Sequence, residues 1–309
     1  MSVPGFWSQV TQDRRIPTLQ GFGQQGRIWY VYPDGGLDAP RGSFTSMATL
    51  MTSGLLRSRD TIMLAGVLRE QCVAPLNVYD CTILGVANRP RQATSGGVPT
   101  GGGASWLAPA SGAVATTPLL ELRAQGWAIK NIEFTPHTAS AGIRLTRSAS
   151  VDTTDASHFM IEDCFFGANG GTTQIGIEDN GGCGFGLIQN CRFQGLGGTA
   201  ILGLNTAAAI PQMWIVNANF FNGNTNAIAM SLTEGRILNN YIRQAANDAN
   251  NKVNLIAVAG QGSLNQVINN IFSDAAANVT IAKGYKPGTT DVWRNYVTDV
   301  AAYIVTVPA

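Results

Sequence analysis

The hexapeptide Ile188-Gln189-Asn190-Cys191-Arg192-Phe193 contains a short pattern that recurs through the second half of the chain. The pattern is an aliphatic residue, a variable residue, Asn or Asp, two variable residues, and Phe or an aliphatic residue. The other copies begin at Ile129, Ile161, Ile215, Ile237, Val267 and, in decayed form, Val292. The third residues of successive copies are 32, 27, 27, 22, 30 and 25 positions apart. Self-similarity at a period of this length indicates a repeat architecture.

A second short apolar segment lies between successive copies, for example Ile143-Arg144-Leu145 and Ala200-Ile201-Leu202. These segments are bounded by Gly and Asn, which favour turns, and they are too short to form useful helices. Short strands that repeat in this way, with no helix between them, are typical of a β-solenoid. We therefore predict an all-β rod of about seven or eight coils, with its regular part over residues 119–309.

Residues at equivalent positions of successive coils are expected to stack about 4.8 Å apart. The third position of the pattern predicts a ladder at a bend, because Asn tolerates a left-handed backbone and its amide satisfies turn N–H and C=O groups. The predicted ladder consists of Asn131, Asp163, Asn190, Asn217, Asn239 and Asn269. The sixth position predicts an interior column of stacked rings. This column consists of Phe134, Phe166, Phe193, Phe220 and Phe272.

Cys164 and Cys191 occupy the fourth position of neighbouring copies. One interpretation is a disulfide or redox pair, and the other is two buried, reduced side chains that act as small hydrophobes. We favour the second, because stacked positions are aligned for packing rather than for disulfide geometry. The chain has 5 cysteines and no C-x-x-C pattern, so neither a disulfide framework nor a zinc site is expected.

Residues 1–26 have the character of an arm, because Pro and Gly interrupt every regular pattern. The arm nevertheless carries apolar side chains, which need a surface on which to dock. The candidate docking residues are Phe6, Trp7, Ile16, Leu19 and Phe22. Their binding surface is either the first coils of the same chain or a partner subunit, and the sequence leaves both open.

Residues 27–118 are expected to form an N-terminal cap and the first coils. Ser43 is predicted to begin an amphipathic helix that runs to about Ser58 and covers the open edge of the first coil. Residues 93–118 are predicted to form a long, neutral, Gly-rich loop. Within it, Trp106 could stack on a sugar or a partner, or pack on the flank of the rod.

Composition excludes several classes of function. Lys and Arg total 20 and Asp and Glu total 19, which removes a general electrostatic case for nucleic acid or an acidic membrane. The hydrophobic content of 45% excludes a disordered chain. No apolar run is long enough for a transmembrane helix, and the first residues lack the features of a signal peptide. No cofactor and no metal site are indicated.

Two features resemble the pectin-lyase-like right-handed parallel β-helix superfamily. They are the predicted helix followed by the strand and turn at residues 60–70, and the repeats exemplified by Ile188 to Phe193. The resemblance covers about residues 27–307 and implies a right-handed parallel β-helix. Members of this superfamily include polysaccharide lyases and hydrolases, pectin esterases, phage tailspikes and other virion proteins. The repeat is diagnostic of the fold and says little about activity.

A polysaccharide-cleaving member requires two carboxylates in an accessible groove, or a base assisted by bound calcium. Glu178 and Asp179 are the candidate catalytic pair. The chain lacks the Gly-His-Gly and Asn-Thr-Asp motifs of polygalacturonases and the Gly-x-x-x-Asp-Phe motif of pectin esterases. The two histidines, His137 and His158, are expected on surface turns rather than in catalysis.

These observations favour a non-catalytic structural or binding component of a bacteriophage virion, as a capsid decoration or a tail-associated β-helix. Such a protein would assemble in the host cytoplasm, contact capsid or tail proteins, and form a homo-oligomer. A trimer is favoured because the resembling family commonly forms trimers. The alternative is a tailspike-type depolymerase, a lyase or hydrolase that acts on cell-surface polysaccharide. A bacterial surface or adhesion module is a third hypothesis.

Overall fold

A computed structural model describes residues 26–33, 43–86, 104–137, 139–147, 154–167, 174–203, 210–243, 253–255, 264–273, 290–293, 295–297 and 302–304. The five candidate docking residues of the arm lie outside these ranges, as do residues 93–103 of the predicted loop. Within the described ranges the chain forms short strands and one short helix, α1.

The strands form three sheets that wind as a right-handed parallel β-helix, which confirms the predicted fold. From the second coil onward, each coil contributes one strand to sheet 1, then at least one to sheet 2 and, in most coils, one to sheet 3. Neighbouring strands are parallel, apart from one antiparallel pair at the C-terminal end of sheet 2. The bounds of the strands follow, sheet by sheet.

Sheet 1 consists of β1 (Ile28–Val31), β2 (Thr61–Leu64), β5 (Thr82–Gly85), β8 (Ala128–Lys130), β11 (Met160–Glu162), β14 (Leu187–Gln189), β17 (Ile215–Asn217), β20 (Arg236–Leu238), β23 (Asn265–Ile268) and β25 (Thr290–Trp293). Sheet 2 consists of β3 (Val67–Arg69), β6 (Ser105–Leu107), β9 (Glu133–Thr135), β12 (Phe165–Gly167), β15 (Arg192–Gln194), β18 (Phe220–Asn222), β21 (Tyr241–Arg243), β24 (Ile271–Ser273), β26 (Asn295–Val297) and β27 (Ala302–Ile304). Sheet 3 consists of β4 (Cys72–Val73), β7 (Leu120–Leu122), β10 (Ala141–Thr146), β13 (Ile175–Asn180), β16 (Thr199–Gly203), β19 (Asn226–Met230) and β22 (Val253–Leu255).

Sheet 1 has ten strands in the described part of the chain, more than the seven or eight coils that the repeats predict. The difference arises at the N-terminal end, where β1, β2 and β5 pair in register with one another and then with β8. These strands belong to the cap region, whose sequence lacks the recurring pattern. They extend sheet 1 because their backbones continue the same parallel pairing.

The bend between sheets 1 and 2 takes two residues in the regular coils, for example Asn131 and Ile132 between β8 and β9. The first residue of the bend adopts a left-handed conformation, which reverses the chain in little space. The φ angles are 57° at Asn131, 54° at Asp163, 53° at Asn190, 55° at Asn239 and 56° at Asn269. Asn131 also donates a hydrogen bond from Nδ2 to the carbonyl of Gly85 at 2.9 Å.

The copy of the pattern around Ile215 lies one residue away from its predicted register. Pairing places Val216, not Ile215, opposite Ile188, and Ala218 takes the left-handed position with φ of 55°. Asn217 therefore ends β17 and is not the bend residue of its coil. The prediction was wrong here because Ile215 is followed by a second aliphatic residue, and the Asn of the pattern occurs only in the register that starts at Ile215. A slip of one residue inverts every side chain.

The interior of the rod contains a continuous column of stacked rings. Successive ring centroids along Trp106, Phe134, Phe166, Phe193 and Phe221 are 5.7, 5.2, 4.8 and 4.9 Å apart. All five side chains are buried. The column continues through Ile242 to Phe272, also buried, in register with it.

Phe220, which was predicted to belong to this column, lies on the outer side of β18 instead. Phe221 is paired with Phe193 and occupies the interior position. The cause is the same one-residue shift, because successive residues of a strand point to opposite faces. Phe220 stacks on Tyr241 on the outside of sheet 2, with centroids 5.5 Å apart.

A second ladder, which the sequence analysis did not predict, lies one residue beyond the bend. It consists of the buried side chains of Asn219, Asn240, Asn270 and Asn295. In each coil the Oδ1 atom accepts a hydrogen bond from the backbone N–H of the preceding ladder residue, at 2.9 to 3.0 Å. In the earlier coils the same position holds Ile132, Cys164 and Cys191.

Helix α1 (Met47–Thr52) packs three buried residues, Met47, Leu50 and Met51, into the core at the N-terminal end of the rod. It is shorter than predicted, and its N-cap is Ser46 rather than Ser43. The Ser46 Oγ accepts a hydrogen bond from the Thr49 N–H at 3.1 Å, whereas Phe44 bridges to Val31 of sheet 1. Because Phe44 pairs with sheet 1, the helix begins later in the sequence than predicted. No described helix is long and apolar enough to span a membrane.

Candidate functional site

The outer face of sheet 3 carries a row of alternating charges. Glu121, Arg144 and Glu178 lie opposite one another on three adjacent strands. The Arg144 Nε donates to Glu178 Oε2 at 2.6 Å, and the Arg123 Nε donates to Glu121 Oε1 at 2.8 Å. Thr146 also donates to Glu121 Oε1, at 3.0 Å. Both carboxylates on this face are thus held by hydrogen bonds.

Asp179, the second member of the predicted catalytic pair, points the opposite way from Glu178. It is buried and accepts the backbone N–H groups of Gly182 and Cys183, both at 2.9 Å. Burial raises the pKa of Asp179 to about 6, although these hydrogen bonds and the charge of Arg147 oppose the shift. The two carboxylates therefore do not face one groove, and Asp179 shapes the turn that follows β13.

Glu133 is a second unusual carboxyl group, on the outer side of β9 in sheet 2. Only 2% of the residue is exposed, and its Oε1 has no hydrogen-bond partner in the described part of the chain. Burial raises the pKa of Glu133 to about 7, against a small opposing contribution from the Ser105 hydroxyl. A carboxyl group of this kind can exchange a proton near neutral pH, but its burial keeps a large substrate away from it.

Further along the same face, Arg192 lies between two aromatic rings. Its guanidinium carbon is 5.9 Å from the Phe165 centroid and 5.1 Å from the Phe220 centroid. Cation–π contacts of this geometry stabilise a partly desolvated guanidinium. Phe220 in turn stacks on Tyr241, so sheet 2 presents a row of rings with one cation among them.

The edge between sheets 3 and 1 carries an exposed apolar strip, which consists of His158, Met160, Phe185, Leu187, Met213 and Ile215. Phe185 is 51% exposed, Met213 40% and Ile215 37%. The rings of His158 and Phe185 stack with centroids 4.6 Å apart. Met160, Leu187 and Ile215 pair in register on adjacent strands, so the strip runs straight along three coils. An ordered row of exposed apolar side chains is typical of an interaction surface.

The other predicted residues are placed as follows. His137 lies exposed on a turn, as expected, and its carbonyl accepts a hydrogen bond from Gln174. Trp106 is buried in the core column, with its Nε1 donating to the Glu70 carbonyl at 2.9 Å, and is therefore not a surface platform for a sugar. All five cysteines are buried and free, including Cys164 and Cys191. Among the described residues, no group of three or more His, Cys, Asp and Glu side chains is arranged to hold a metal ion.

The apolar strip was missed at the level of sequence. Its residues precede or begin the strands of sheet 1 and lie outside the recurring pattern. A signal was present, because His158-Phe159-Met160, Phe185-Gly186-Leu187 and Met213-Trp214-Ile215 are spaced like the repeats themselves. The alternation shows that the first and third residues share a face, but only the backbone shows that this face is exposed.

Three parallel sheets joined by a short bend with a left-handed residue define the pectin-lyase-like parallel β-helix. The fold is similar to that of an alginate lyase from Paenibacillus sp., with a TM-score of 0.53 and 16% identity over 88% of this chain and 95% of that chain. It is also similar to a pectin methylesterase from Aspergillus niger, with a TM-score of 0.55 and 12% identity over 93% of this chain and 92% of that chain. A weaker similarity, with a TM-score of 0.45 and 12% identity, is to the Dettilon tailspike protein, over 79% of this chain and 54% of that one.

The TM-scores of the alginate lyase and the pectin methylesterase show that this chain shares their fold. No protein-family model and no curated protein matches the sequence. The function of this chain must therefore be argued from its own residues.

Proposed function

We propose that this chain is a non-catalytic structural or binding component of a bacteriophage particle, as a capsid decoration or a tail-associated rod. The observation that carries the proposal is the use of the candidate catalytic carboxylates. Glu178 is bonded to Arg144, and Asp179 points inward to hold a turn. Both carboxylates therefore stabilise the fold, and they do not line one open groove together.

The exposed apolar strip supports a binding role, because such a surface is suited to docking rather than to acid–base chemistry. The setting in a phage particle rests on the sequence resemblance, since virion proteins are members of the superfamily.

A second candidate function is polysaccharide cleavage. The observation that favours it is the pair of carboxylates Glu121 and Glu178, which flank Arg144 on one outward row of sheet 3. Two strand spacings separate the two carboxylate-bearing strands by about 9.6 Å, close to the separation that inverting glycosidases use. In this arrangement the ion pair with Arg144 would have to open before Glu178 could act.

One assay separates the two functions. The purified chain is incubated with capsular and O-antigen polysaccharides, and the release of reducing ends or unsaturated uronates is measured. We expect no release. Release that is lost in the variants Glu121→Gln or Glu178→Gln would overturn the non-catalytic proposal. Glu162→Gln is the matched control, because Glu162 forms a similar ion pair, with Lys130 at 2.7 Å, on a different sheet.

The particle setting has its own test. An antibody raised against the purified chain should label intact phage particles in electron micrographs, at regular positions on the head or the tail. Labelling confined to unassembled protein in the lysate would contradict the proposal, whatever the outcome of the polysaccharide assay.

A further inference from the structure

The apolar strip contains side chains that the fold itself does not require. His158, Phe185 and Met213 have φ angles of 60°, 54° and 54°, in the left-handed region. Gly or Asn fits this conformation with less strain than a bulky side chain does. In the same column Gly126 takes the position with φ of 79°. Phe185 and Met213 are about half exposed, so an additional contact would explain their presence.

The column that contains these residues runs along the rod from Arg59 to Glu234. Each member donates its backbone N–H to the residue before the next member: Arg59 to Tyr79, Asp80 to Gln125, Gly126 to Ser157, His158 to Gly184, Phe185 to Gln212 and Met213 to Thr233. Only the three consecutive members of the strip are large and apolar or aromatic. The charged residues Arg59, Asp80 and Glu234 flank them in the same column.

The described part of the chain starts at Gly26, next to Arg59, the first residue of this column. Gly26 lies directly against Arg59, so close that a β-carbon at Gly26 would lie 1.8 Å from the Arg59 carbonyl oxygen. Arg27 continues the contact, since its N–H donates to Asp60 at 2.7 Å. Gly26, where the described part of the chain begins, therefore lies at the same edge of the rod as the strip.

We propose that the strip is the docking surface for residues 1–25 of the same chain. The arm carries five candidate docking residues with apolar side chains, among them Ile16 and Leu19. A tether at the head of the column gives the arm a high effective concentration at the strip, which a separate partner would lack.

The reach of the arm is sufficient. Phe185 and Met213 are five and six coils from Gly26, or about 24 and 29 Å at the usual strand spacing. Leu19 and Ile16 precede Gly26 by seven and ten residues, which extend to at most about 24 and 35 Å. Leu19 can thus reach Phe185, and Ile16 can reach Met213.

Limited trypsin digestion of the full chain tests the proposal. The arm contains Arg14 and Arg15, so loss of the first 14 or 15 residues can be followed by mass spectrometry. We expect these sites to be protected in the wild type and cut at least tenfold faster in Phe185→Asn and Met213→Asn. Asn suits the left-handed backbone, so these variants remove the apolar surface and keep the fold. Glu234→Asn is the matched control, with φ of 56° in the same column and no apolar side chain, and it should leave the protection unchanged.

Two results would overturn the proposal. Equal cleavage of the arm in the wild type and in both strip variants would show that the arm does not bind there. Protection that disappears on dilution would show that the arm binds a second copy instead of its own chain. If an Asn variant loses its cooperative unfolding transition, Phe185→Gly provides the same test, because Gly also accepts this φ.

Discussion

Asn219 and Asn240 lie one coil apart and are joined by two hydrogen bonds. The backbone N–H and the Nδ2 of Asn219 both donate to the Oδ1 of Asn240, at 2.9 and 3.1 Å. The Nδ2 of Asn240 donates in turn to the Val216 carbonyl at 3.0 Å and to the Asn270 Oδ1 at 2.9 Å. One buried amide thus satisfies two backbone groups of the preceding coil, the Asn219 N–H and the Val216 carbonyl, beside the bend.

Replacement of Asn240 by Ala should lower the free energy of unfolding by about 3 kcal/mol or more, because it leaves a buried N–H and a buried carbonyl without partners. The measurement is urea unfolding followed by circular dichroism. Asn217→Ala is the control, since Asn217 is only partly buried and ends a strand, and it should cost less than about 1 kcal/mol. Equal costs would mean that the inner ladder does not stabilise the bend.

The one-residue shift in the copy at Ile215 predicts different costs for two adjacent phenylalanines. Phe193→Ala and Phe221→Ala should each destabilise the protein by about 3 to 5 kcal/mol, because each leaves a cavity in the ring column. Phe220→Ala should cost less, because its ring lies on the outer face against Tyr241. Thermal unfolding of the three variants is the measurement. A larger loss of stability for Phe220→Ala than for Phe221→Ala would support the register that the sequence pattern predicts.

The buried carboxyl groups predict a pH dependence of stability. Burial raises the pKa of Glu133 from 4.5 to about 7, so the folded chain holds this proton more tightly than the unfolded chain does. The stability contributed by the proton is complete below pH 4.5 and is lost as the pH rises through 7, with an upper limit of about 3 kcal/mol. Asp179, with its pKa raised from 3.8 to about 6, acts in the same direction over a lower range.

Glu133→Gln should remove most of the decline in unfolding free energy between pH 5 and pH 8. Urea midpoints at several pH values provide the measurement. Glu178→Gln is the control, because Glu178 is ion-paired and partly exposed on another sheet, so the decline should persist in it. A decline of unchanged size in Glu133→Gln would assign the pH dependence to another group.

The thiols predict slow chemical modification. Burial raises the pKa of Cys81 to about 12 and raises the pKa values of Cys72, Cys183 and Cys191 as well. The thiolate is the reactive species, so a colorimetric thiol reagent should react slowly with the native chain and with five thiols once urea has unfolded it. Titration of only three thiols in urea without reductant would indicate a disulfide and contradict the free pair at Cys164 and Cys191.

Much of the fold could be predicted from the sequence because each coil makes local contacts that repeat. Phe134, Phe166 and Phe193 recur at the coil period and stack in the structure as predicted. Asn131 and Asn190 likewise mark bends with left-handed residues. In a solenoid each repeat touches only its neighbours, so the period alone is enough to predict the architecture.

The candidate site was less accessible to prediction. Glu178 and Asp179 are adjacent in sequence, and that adjacency suggested a pair. Adjacent residues of a strand point to opposite faces of the sheet, so the two carboxylates lie on opposite sides of β13. Which of the two faces outward depends on the register of β13 with its neighbours, and a pattern of residue types does not contain that register.

The sequence by itself determined the class of fold, the period of the coils and the stacking of Phe134, Phe166 and Phe193, because these follow from repeated local spacing. The tertiary structure alone decided the register at Val216 and Phe221, the inner ladder through Asn240, and the exposure of Phe185 and Met213. The physical reason is that pairing between strands from different coils fixes which side of each strand faces the core. That pairing depends on backbone hydrogen bonds between distant residues, which any aliphatic or aromatic side chain permits equally.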